Sequence, residues 1–337
     1  MNAQPPVAEP LLKVTDLTVE FPIRSRATVR AVDRVSFELA AGTTLGVVGE
    51  SGSGKSVLIR SIMRILDYPG RISAGSVVFR GEDLLAKSER EMRAIRGREI
   101  AMIFQNPAGS LSPVATITSQ FLEAIRAHEH VSRSTALARA RAALNAVGIE
   151  APDSVLNKRP FEISSGLIQR IMIGLALVTG PALLLADEPT TSLDLIVQEQ
   201  IMTTLRRVQS EFGTAIIFIS HDMGVVSEIS ERIMVMYGGR TVEQGNLQEV
   251  LRTRRHPYTD GLIRSVPSSV VRPGMRLYAI PGQPPDLARL GKGCSFASRC
   301  GRVHEICRKE DPALSSITPE RAAACHFPIE EKESVLN

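Results

Sequence analysis

An eight-residue segment rich in glycine and serine, GESGSGKS, occupies positions 49–56. It lies between the apolar runs 44–48 and 57–59. A segment with so few apolar side chains cannot be core, and its flanks predict a buried strand before it and a helix over about 54–66. The segment matches G-x-x-x-x-G-K-[ST], in which glycines allow consecutive backbone N–H groups to point at phosphate oxygens. The helix N-terminus adds partial positive charge, so the segment predicts a phosphate-binding loop.

The last two residues of this loop carry side chains suited to a nucleoside triphosphate such as ATP. Lys55 would reach the β- and γ-phosphates, and Ser56 would ligate Mg²⁺. The alternative, a chance glycine turn, is disfavoured because both flanks have the required character. The predicted nucleotide-binding residues are Gly49, Glu50, Ser51, Gly52, Ser53, Gly54, Lys55, Ser56 and Val57.

A second acidic element follows a short apolar run in the segment ALLLADE, residues 182–188. Four consecutive apolar residues predict a buried strand, with Asp187 and Glu188 at its carboxyl end, where ligands bind in open α/β sheets. Asp187 would hold Mg²⁺ through water, and Glu188 would polarise the attacking water. An acidic strand cap is the alternative for this pair taken alone, but a phosphate loop in the same chain favours the catalytic interpretation.

The remaining pattern predicts an α/β fold and excludes several classes of protein. Strands alternate with helices, and several strands are continuously apolar, which is typical of a largely parallel sheet covered on both faces. A net charge of +4, the lack of tryptophan and 4% aromatic residues argue against nucleic-acid binding. The first ten residues do not resemble a signal peptide. The longest apolar stretch, 171–186, is broken by Gly180-Pro181 and is too short to span a membrane.

Three further short motifs occur in a fixed order with the two described above. They are Ile103-Phe104-Gln105, the segment Pro189-Thr190-Thr191-Ser192-Leu193-Asp194, and Ile219-Ser220-His221-Asp222. Each is weak alone, but the five together, over about 13–255, resemble the nucleotide-binding subunit of an ABC transporter. The resemblance implies a P-loop NTPase core with a mostly parallel sheet, an antiparallel β-subdomain, a helical subdomain at about 106–178 and a small irregular C-terminal domain.

The resemblance also implies roles for individual residues. Gln105 would sense the γ-phosphate, ligate Mg²⁺ and contact the permease. His221 would hold the γ-phosphate and orient water with Glu188, while Asp194 would signal across an ATPase dimer. Phe21 would stack on adenine, although a core phenylalanine ending a strand is nearly as good an explanation.

The stretch aligned with the family signature departs from the usual LSGGQ, or LSGGM followed by RQR. Ser164 and Gly166 match that signature, but its first glycine is Ser165 here and a usual arginine is Ile168. A serine adds a Cβ and restricts φ, which would weaken the ATP site that this signature completes on the partner. We therefore expect a heterodimer with a second, different ATPase; the alternative is that Ser165 is tolerated.

The tail after residue 255 resembles that of oligopeptide/dipeptide importer ATPases of bacteria and archaea. The matching segments are Arg255-His256-Pro257-Tyr258-Thr259 with Leu262 and Pro267, Ile280-Pro281-Gly282-Gln283-Pro284-Pro285, Gly293-Cys294-Ser295-Phe296 and Arg299-Cys300. We accordingly predict domains at 1–255 and 256–337. The resemblance implies a peripheral ATPase on the cytoplasmic face of the inner membrane, driving two transmembrane permease subunits and, indirectly, an extracytoplasmic solute-binding protein. The solute stays open among peptides, nickel, glutathione and sugars.

Four cysteines all lie in this tail, at Cys294, Cys300, Cys307 and Cys325. In a chain without an export signal they favour metal over disulfides, although the pattern lacks the tight C-x₂-C pair of zinc ribbons. We rank a [4Fe–4S] cluster first, as some relatives with this tail carry one, then no metal, then zinc with help from His304 or His326.

Two other kinds of function remain open. A soluble ABC ATPase in DNA repair or translation would usually carry two cassettes or a long coiled-coil insertion, and neither is present here. A scaffold subunit that binds ATP without hydrolysing it is disfavoured by Glu188 and His221.

Overall fold

The structure is a computed structural model that describes residues 9–23, 28–191, 193–266 and 278–330. The first eight residues, Ser192 and Pro267, on which the sequence suggested interpretations, lie outside these ranges. The chain divides into two compact units. The first unit comprises Met1–Leu39, Leu45–Leu85 and Ile219–Asn337, and the second comprises Ala40–Thr44 and Ala86–Phe218.

The described residues form strands and helices that alternate only in part, with three strands at the start and five helices in a row between β6 and β7. The strands are β1 (Leu12–Pro22), β2 (Thr28–Leu39), β3 (Thr44–Val48), β4 (Arg71–Phe79), β5 (Glu82–Asp83), β6 (Ile100–Ile103), β7 (Leu183–Asp187), β8 (Ala215–Ser220), β9 (Arg232–Tyr237), β10 (Arg240–Asn246), β11 (Ser315–Thr318) and β12 (Arg321–Ala323). The helices are α1 (Lys55–Ile62), α2 (Glu89–Ile95), α3 (Pro107–Ser110), α4 (Ile117–Arg126), α5 (Arg133–Ala146), α6 (Asp153–Leu156), α7 (Ser165–Leu177), α8 (Leu195–Phe212), α9 (Met223–Ile229), α10 (Leu247–Arg252), α11 (Pro257–Ser265) and α12 (Glu305–Lys309).

The first unit holds an antiparallel sheet in the order β2-β1-β4-β5. It also holds the strand that precedes the phosphate loop: β3 pairs in parallel with β9, with Val48 opposite Val235. All five residues of β3 are buried, as expected of a strand covered on both faces. The antiparallel β-subdomain that the resemblance implied is therefore present.

The C-terminal region of the first unit extends the sheet that contains β9. β10 pairs antiparallel with β9, β12 with β10, and β11 with β12. The buried pair Arg321–Glu243, whose N–O distance is 2.8 Å, links β12 to β10. A buried charge pair is tolerated only when well hydrogen-bonded, and Glu243 also accepts from the backbone N–H groups of Arg255 and His256.

The second unit contains strands in the order β8-β7-β6 and a group of helices. β6 and β7 pair in parallel, with Ile103 opposite Ala186, and all residues of β7 and β8 are buried. Helices α3 to α7 lie within residues 107–177, and the bounds of about 106–178 for a helical subdomain stay a prediction. Mixed parallel and antiparallel strands with intervening helices agree with the predicted α/β class.

The predicted division at residue 255 is not where these two units separate, because residues on both sides of it belong to the first unit. The functional boundary between 1–255 and 256–337 therefore stays a prediction. Among the helices in the described ranges, none combines the length and apolar character needed to cross a membrane.

Candidate functional site

The phosphate loop lies between β3 and α1, so the predicted strand–loop–helix context is present. Gly54 is the residue before α1 and has a left-handed backbone, with φ of 101°. A Cβ at Gly54 would lie 2.2 Å from the carbonyl oxygen of Ala31, and a Cβ at Gly49 would lie 2.2 Å from that of Met236. Both distances are far below van der Waals contact. Only glycine fits at these two positions, which explains the pattern of the motif.

Lys55 is buried, with 4% of its surface exposed, and its amine is turned back onto the loop. Nζ donates to the carbonyl oxygens of Gly49 at 2.7 Å and Glu50 at 3.0 Å, and lies 3.4 Å from Ser53 Oγ. Ser51 and Gly52 are exposed at the tip of the loop. The half-buried Ser56 and Val57 follow in the first turn of α1. The loop is thus closed around the ammonium group at its base.

Two more predicted residues belong to the same unit as the loop. His221 is exposed and lines a cavity of about 220 Å³ together with Val48, the residue before the loop. Phe21 is half-buried near the end of β1, and its ring lies against Gly70, where a Cβ would be 2.6 Å from the ring. The structure therefore brings His221 to the start of the loop, while Phe21 already has a packing role.

Two residues of the C-terminal region contact the loop, and the sequence did not predict either contact. The Tyr258 hydroxyl accepts from the backbone N–H of Glu50 at 2.8 Å. The Arg299 guanidinium donates to both carboxylate oxygens of Glu50, at 2.5 and 2.9 Å. The one signal available was charge: Glu50 is an acidic residue within a loop built for anions.

The second unit holds the acidic pair at the end of β7. Asp187 is fully buried, whereas Glu188 follows with a left-handed φ of 46°, which is uncommon for a non-glycine residue and is associated with functional sites. Gln105 Nε2 donates to Glu188 Oε2 at 3.2 Å, and Thr191 Oγ1 donates to the same oxygen at 2.8 Å. The structure thus brings Gln105 and Glu188, two of the predicted site residues, into contact.

The segment after Glu188 is fixed by two further side chains of this unit. Gln169, buried in α7, donates to the carbonyl of Pro189 at 2.6 Å. Asp194 caps α8 by accepting from the N–H of Val197 at 3.0 Å. Asp194 therefore has a structural role as a helix cap, and its predicted signalling role is not tested by these contacts.

The signature stretch forms the start of α7. Ser164 is the N-cap residue and Ser165 the first helical residue, and both side chains are exposed. Ser165 has a helical backbone, a conformation that a serine adopts readily, so its restricted φ is compatible with this position. A Cβ at Gly166 would lie 3.4 Å from the methyl groups of Val197, and Ile168 is buried. Compared with glycine, Ser165 adds a Cβ and a hydroxyl to the exposed start of α7.

The four cysteines are free thiols, and all of them line one cavity of about 20 Å³. Burial raises the pKa of Cys294 to about 11 and also raises the pKa of Cys300 and Cys325. Within the part of the chain that the structure describes, no group of three or more His, Cys, Asp or Glu side chains is arranged to hold a metal ion. The expected iron–sulfur cluster is therefore not supported.

The two histidines considered for a zinc site have other contacts. The ring of His304 lies on that of Phe327, with centroids 4.1 Å apart. His326 Nε2 is 3.0 Å from the carbonyl oxygen of Glu310. These contacts give both rings a packing or hydrogen-bonding role without a metal.

Comparison with protein families matches both parts of the chain. A family model for ABC transporters matches residues 32–191, and a model for the oligopeptide/dipeptide transporter C-terminal region matches residues 242–307. Similar proteins include the probable peptide ABC transporter ATP-binding protein y4tR of Sinorhizobium fredii, 46% identical over 95% of this chain and 96% of that protein. The dipeptide transport ATP-binding protein DppD of Escherichia coli is 42% identical over 95% of this chain and 98% of its own length. The oligopeptide transport ATP-binding protein OppD of Salmonella typhimurium is 44% identical over 97% of this chain and 96% of its own length.

Solved structures give the same result. The dimeric ATP-binding cassette MJ0796 bound to ADP and Pi matches with a TM-score of 0.64 and 26% identity, covering 70% of this chain and 98% of that one. CbiO1 from Clostridium perfringens, part of the transporter complex cbiONQ, matches with a TM-score of 0.60 and 27% identity, covering 72% and 90%. The chain therefore belongs to the family of ABC transporter ATP-binding proteins that carry the oligopeptide/dipeptide transporter C-terminal region.

Proposed function

We propose that this chain is the ATP-hydrolysing subunit of an ABC importer that takes up dipeptides or oligopeptides. The observation that carries the proposal is the glycine loop closed around the buried amine of Lys55, with its required glycines at positions 49 and 54. The relatives named for dipeptide and oligopeptide transport match nearly the whole chain, including its C-terminal region. Peptides are therefore favoured over nickel, glutathione or sugars as the solute.

In this proposal the loop holds ATP by its phosphates. Backbone N–H groups of 49–56 and the N-terminus of α1 attract the phosphate oxygens, and Lys55 exchanges the carbonyls of Gly49 and Glu50 for the β- and γ-phosphates. Phe21 supplies a stacking surface for adenine if its ring leaves Gly70. Most of the binding energy then comes from charge and positioned hydrogen-bond donors.

The magnesium ion that accompanies ATP needs hard oxygen ligands, which the chain offers. Ser56 supplies a hydroxyl, Asp187 a buried carboxylate and Gln105 an amide oxygen, a donor set that suits Mg²⁺ and not a soft metal. When bound, the ion would neutralise charge on the phosphates. Asp187 lies at the carboxyl end of β7, the end of a strand where ligands bind in open α/β sheets, which supports this assignment.

Hydrolysis in this proposal is phosphoryl transfer to water without a covalent enzyme intermediate. Glu188 would accept the proton of the attacking water, and His221 would hold the γ-phosphate and orient that water. Gln105, which already contacts Glu188, couples occupancy of the γ-phosphate position to the carboxylate. The left-handed backbone of Glu188 supports the assignment, since strain of this kind persists where function requires it.

The partners follow from family membership and the divergent signature. We infer two transmembrane permease subunits, an extracytoplasmic solute-binding protein that acts indirectly, and a second ATPase subunit facing this chain across two ATP molecules. The dimeric state of the MJ0796 cassette supports the ATPase dimer. Ser165 in the signature supports a heterodimer, in which this chain sits peripherally on the cytoplasmic face of the membrane.

Titration calorimetry with MgATP tests the nucleotide site directly. The full chain should bind MgATP, and Lys55→Ala should remove the heat of binding, since it deletes the charge at the centre of the loop. Arg206→Ala, which removes an exposed ion pair with Glu199 on α8, is a matched control for the loss of one cation. Absence of binding by the wild-type chain would refute the proposal.

Transport requires a separate test in the assembled complex. Vesicles containing the permeases and both ATPase subunits should take up a radiolabelled dipeptide in the presence of ATP and the binding protein. Vesicles with the Lys55→Ala chain should not. Uptake of nickel or a sugar but no peptide would keep the ATPase assignment and replace the solute.

A further inference from the structure

Each of the three polar groups of Glu50 has a partner within the protein, which is more than the phosphate-loop motif requires of its second residue. Its backbone N–H donates to the Tyr258 hydroxyl at 2.8 Å, and its carbonyl accepts from Lys55. Its carboxylate accepts two hydrogen bonds from Arg299, at 2.5 and 2.9 Å. Two of these three contacts come from residues more than 200 positions away, in the C-terminal region.

Arg299 is itself fixed, so it orients Glu50 and does not merely follow it. Its Nε donates to the carbonyl of Pro281 at 2.7 Å, and Nη1 lies 3.2 Å from the Tyr237 hydroxyl. Its guanidinium lies over the ring of Phe296 at 5.9 Å, and 4% of the side chain is exposed. A bidentate pair in such surroundings has a defined geometry as well as charge.

Tyr258 is equally constrained. It is fully buried, and its ring contacts those of Tyr237 and Phe296, with centroids 4.5 and 5.4 Å apart. Its own N–H donates to Nδ1 of His256 at 3.0 Å. Burial raises the pKa of Tyr258, so its hydroxyl stays protonated at neutral pH and can accept the N–H of Glu50.

The charge of Glu50 makes the Arg299 contact important for an anion-binding loop. A carboxylate in this loop would repel a nucleoside triphosphate unless a cation compensated it. Arg299 is that cation, and removing it would leave a partly buried carboxylate unpaired. Removing both charges together would take away the repulsion as well as the pair.

We propose that the C-terminal region is a built part of the nucleotide site, in which Arg299 neutralises and orients Glu50 while Tyr258 holds its backbone. Arg299 and Tyr258 are positioning residues, because they act on the phosphates through Glu50. This inference rests on the proposed function of the loop. Through Glu50, the region that matches the oligopeptide/dipeptide transporter C-terminal model then contributes to the binding of ATP.

The test compares two buried arginines of the C-terminal region in the full chain. Arg299→Met should weaken MgATP binding about tenfold, an effect of the size found between contacting residues. Arg321→Met removes the other buried pair, whose contacts are with Glu243 and Thr253 and not with the loop. Arg321→Met should lower the Tm while leaving the Kd for MgATP within about twofold. Equal weakening of binding in both variants would overturn the proposal, because the effect would then be general destabilisation.

Two further variants separate charge from geometry. Glu50→Gln combined with Arg299→Met should bind MgATP more tightly than Arg299→Met alone, by about threefold or more, since the unpaired carboxylate is gone. Tyr258→Phe should weaken binding without changing its salt dependence, because it removes a neutral hydrogen bond. A double variant as weak as the single one would overturn the electrostatic argument.

The outcome of these measurements is distinguishable from that of the proposed function. If the wild-type chain does not bind MgATP, both proposals fall together. If the wild type binds and Arg299→Met binds equally well, only the role of the C-terminal region is overturned. Titration calorimetry for Kd and thermal unfolding for Tm, on the same preparations, give both readouts.

Discussion

Replacing Glu188 by glutamine is a test in which folding and catalysis should separate. Gln105 and Thr191 donate to the same oxygen of Glu188, at 3.2 and 2.8 Å. The amide oxygen of a glutamine can accept both hydrogen bonds, and the left-handed φ of 46° is required of either residue. The change should therefore cost less than about 1 kcal/mol of unfolding free energy, the typical net value of one hydrogen bond.

Catalysis should suffer far more, because an amide cannot accept the proton of water. Loss of a general base lowers the rate by about 100- to 10,000-fold. This corresponds to about 3–5 kcal/mol of activation free energy. The assay is phosphate release from the assembled complex at saturating MgATP, with the Kd for MgATP measured separately; the variant should bind ATP and retain it unhydrolysed.

The matched control is Glu199→Gln, an exposed carboxylate on α8 that pairs with Arg206. Its ATPase rate should stay within about twofold of wild type, since exposed ion pairs contribute little. Unchanged hydrolysis in Glu188→Gln would refute the assignment of the base and favour a scaffold subunit. A large fall in Tm would show instead that the carboxylate is structural.

Three further changes test other parts of the site. Gly54→Ala should lower both Tm and MgATP affinity more than Gly52→Ala does: both glycines are left-handed, but only a Cβ at Gly54 would meet a carbonyl, that of Ala31 at 2.2 Å. Equal effects in the two variants would show that the close approach is irrelevant. Burial lowers the pKa of His256 to about 3. Below pH 6.5 the unfolded chain protonates this ring while the folded chain keeps it neutral. The free energy of unfolding should therefore fall by about 1.4 kcal/mol per pH unit as the pH falls from 6.5 toward 3. Urea unfolding at several pH values should show a smaller slope in His256→Asn, and an identical slope would contradict the reasoning. Ser165→Gly should raise the ATPase rate of the assembled complex by removing a Cβ next to the partner's nucleotide, whereas an unchanged rate would show that the serine is tolerated.

Elements with strong local signals were predictable from the sequence. The buried strand predicted within 182–188 is β7, and the sequence around α8 carries local signals at both ends of that helix. Asp194 caps the helix at one end, and Gly213, with a left-handed φ of 65°, ends it at the other. Local chemistry sets such boundaries, so a single sequence suffices to find them.

Elements stabilised by distant residues were not predictable. β10 has the polar sequence RTVEQGN, which does not read as a buried strand, yet Glu243 within it is fully buried. Its partner Arg321 lies 78 residues away, and only the fold brings the two together. Short helices such as α10, with the sequence LQEVLR, likewise carry too little periodicity to be predicted from the sequence alone.

The candidate site shows the same difference between local features and contacts made by distant residues. The loop and the acidic pair could be proposed from short segments that hold their chemistry, and Gln105 from the resemblance to ABC transporter subunits. The contacts of Arg299 and Tyr258 with Glu50 span 249 and 208 positions, so no window of sequence contains both partners. The helical backbone of Ser165 was not predicted, because the signature residues alone do not give the backbone angles that each of them adopts.

The amine of Lys55, already satisfied by carbonyl groups of its own loop, has a consequence for which anions this protein can recognise. When a ligand binds, the amine of Lys55 gives up these carbonyl oxygens and donates to ligand oxygens. Its contribution to the binding free energy is therefore only the difference between two sets of hydrogen bonds. Small singly or doubly charged ions, such as inorganic phosphate, gain little from that exchange. Under the proposed function, this exchange would favour a polyphosphate chain, because several of its oxygens can accept hydrogen bonds from the loop and from Lys55 together.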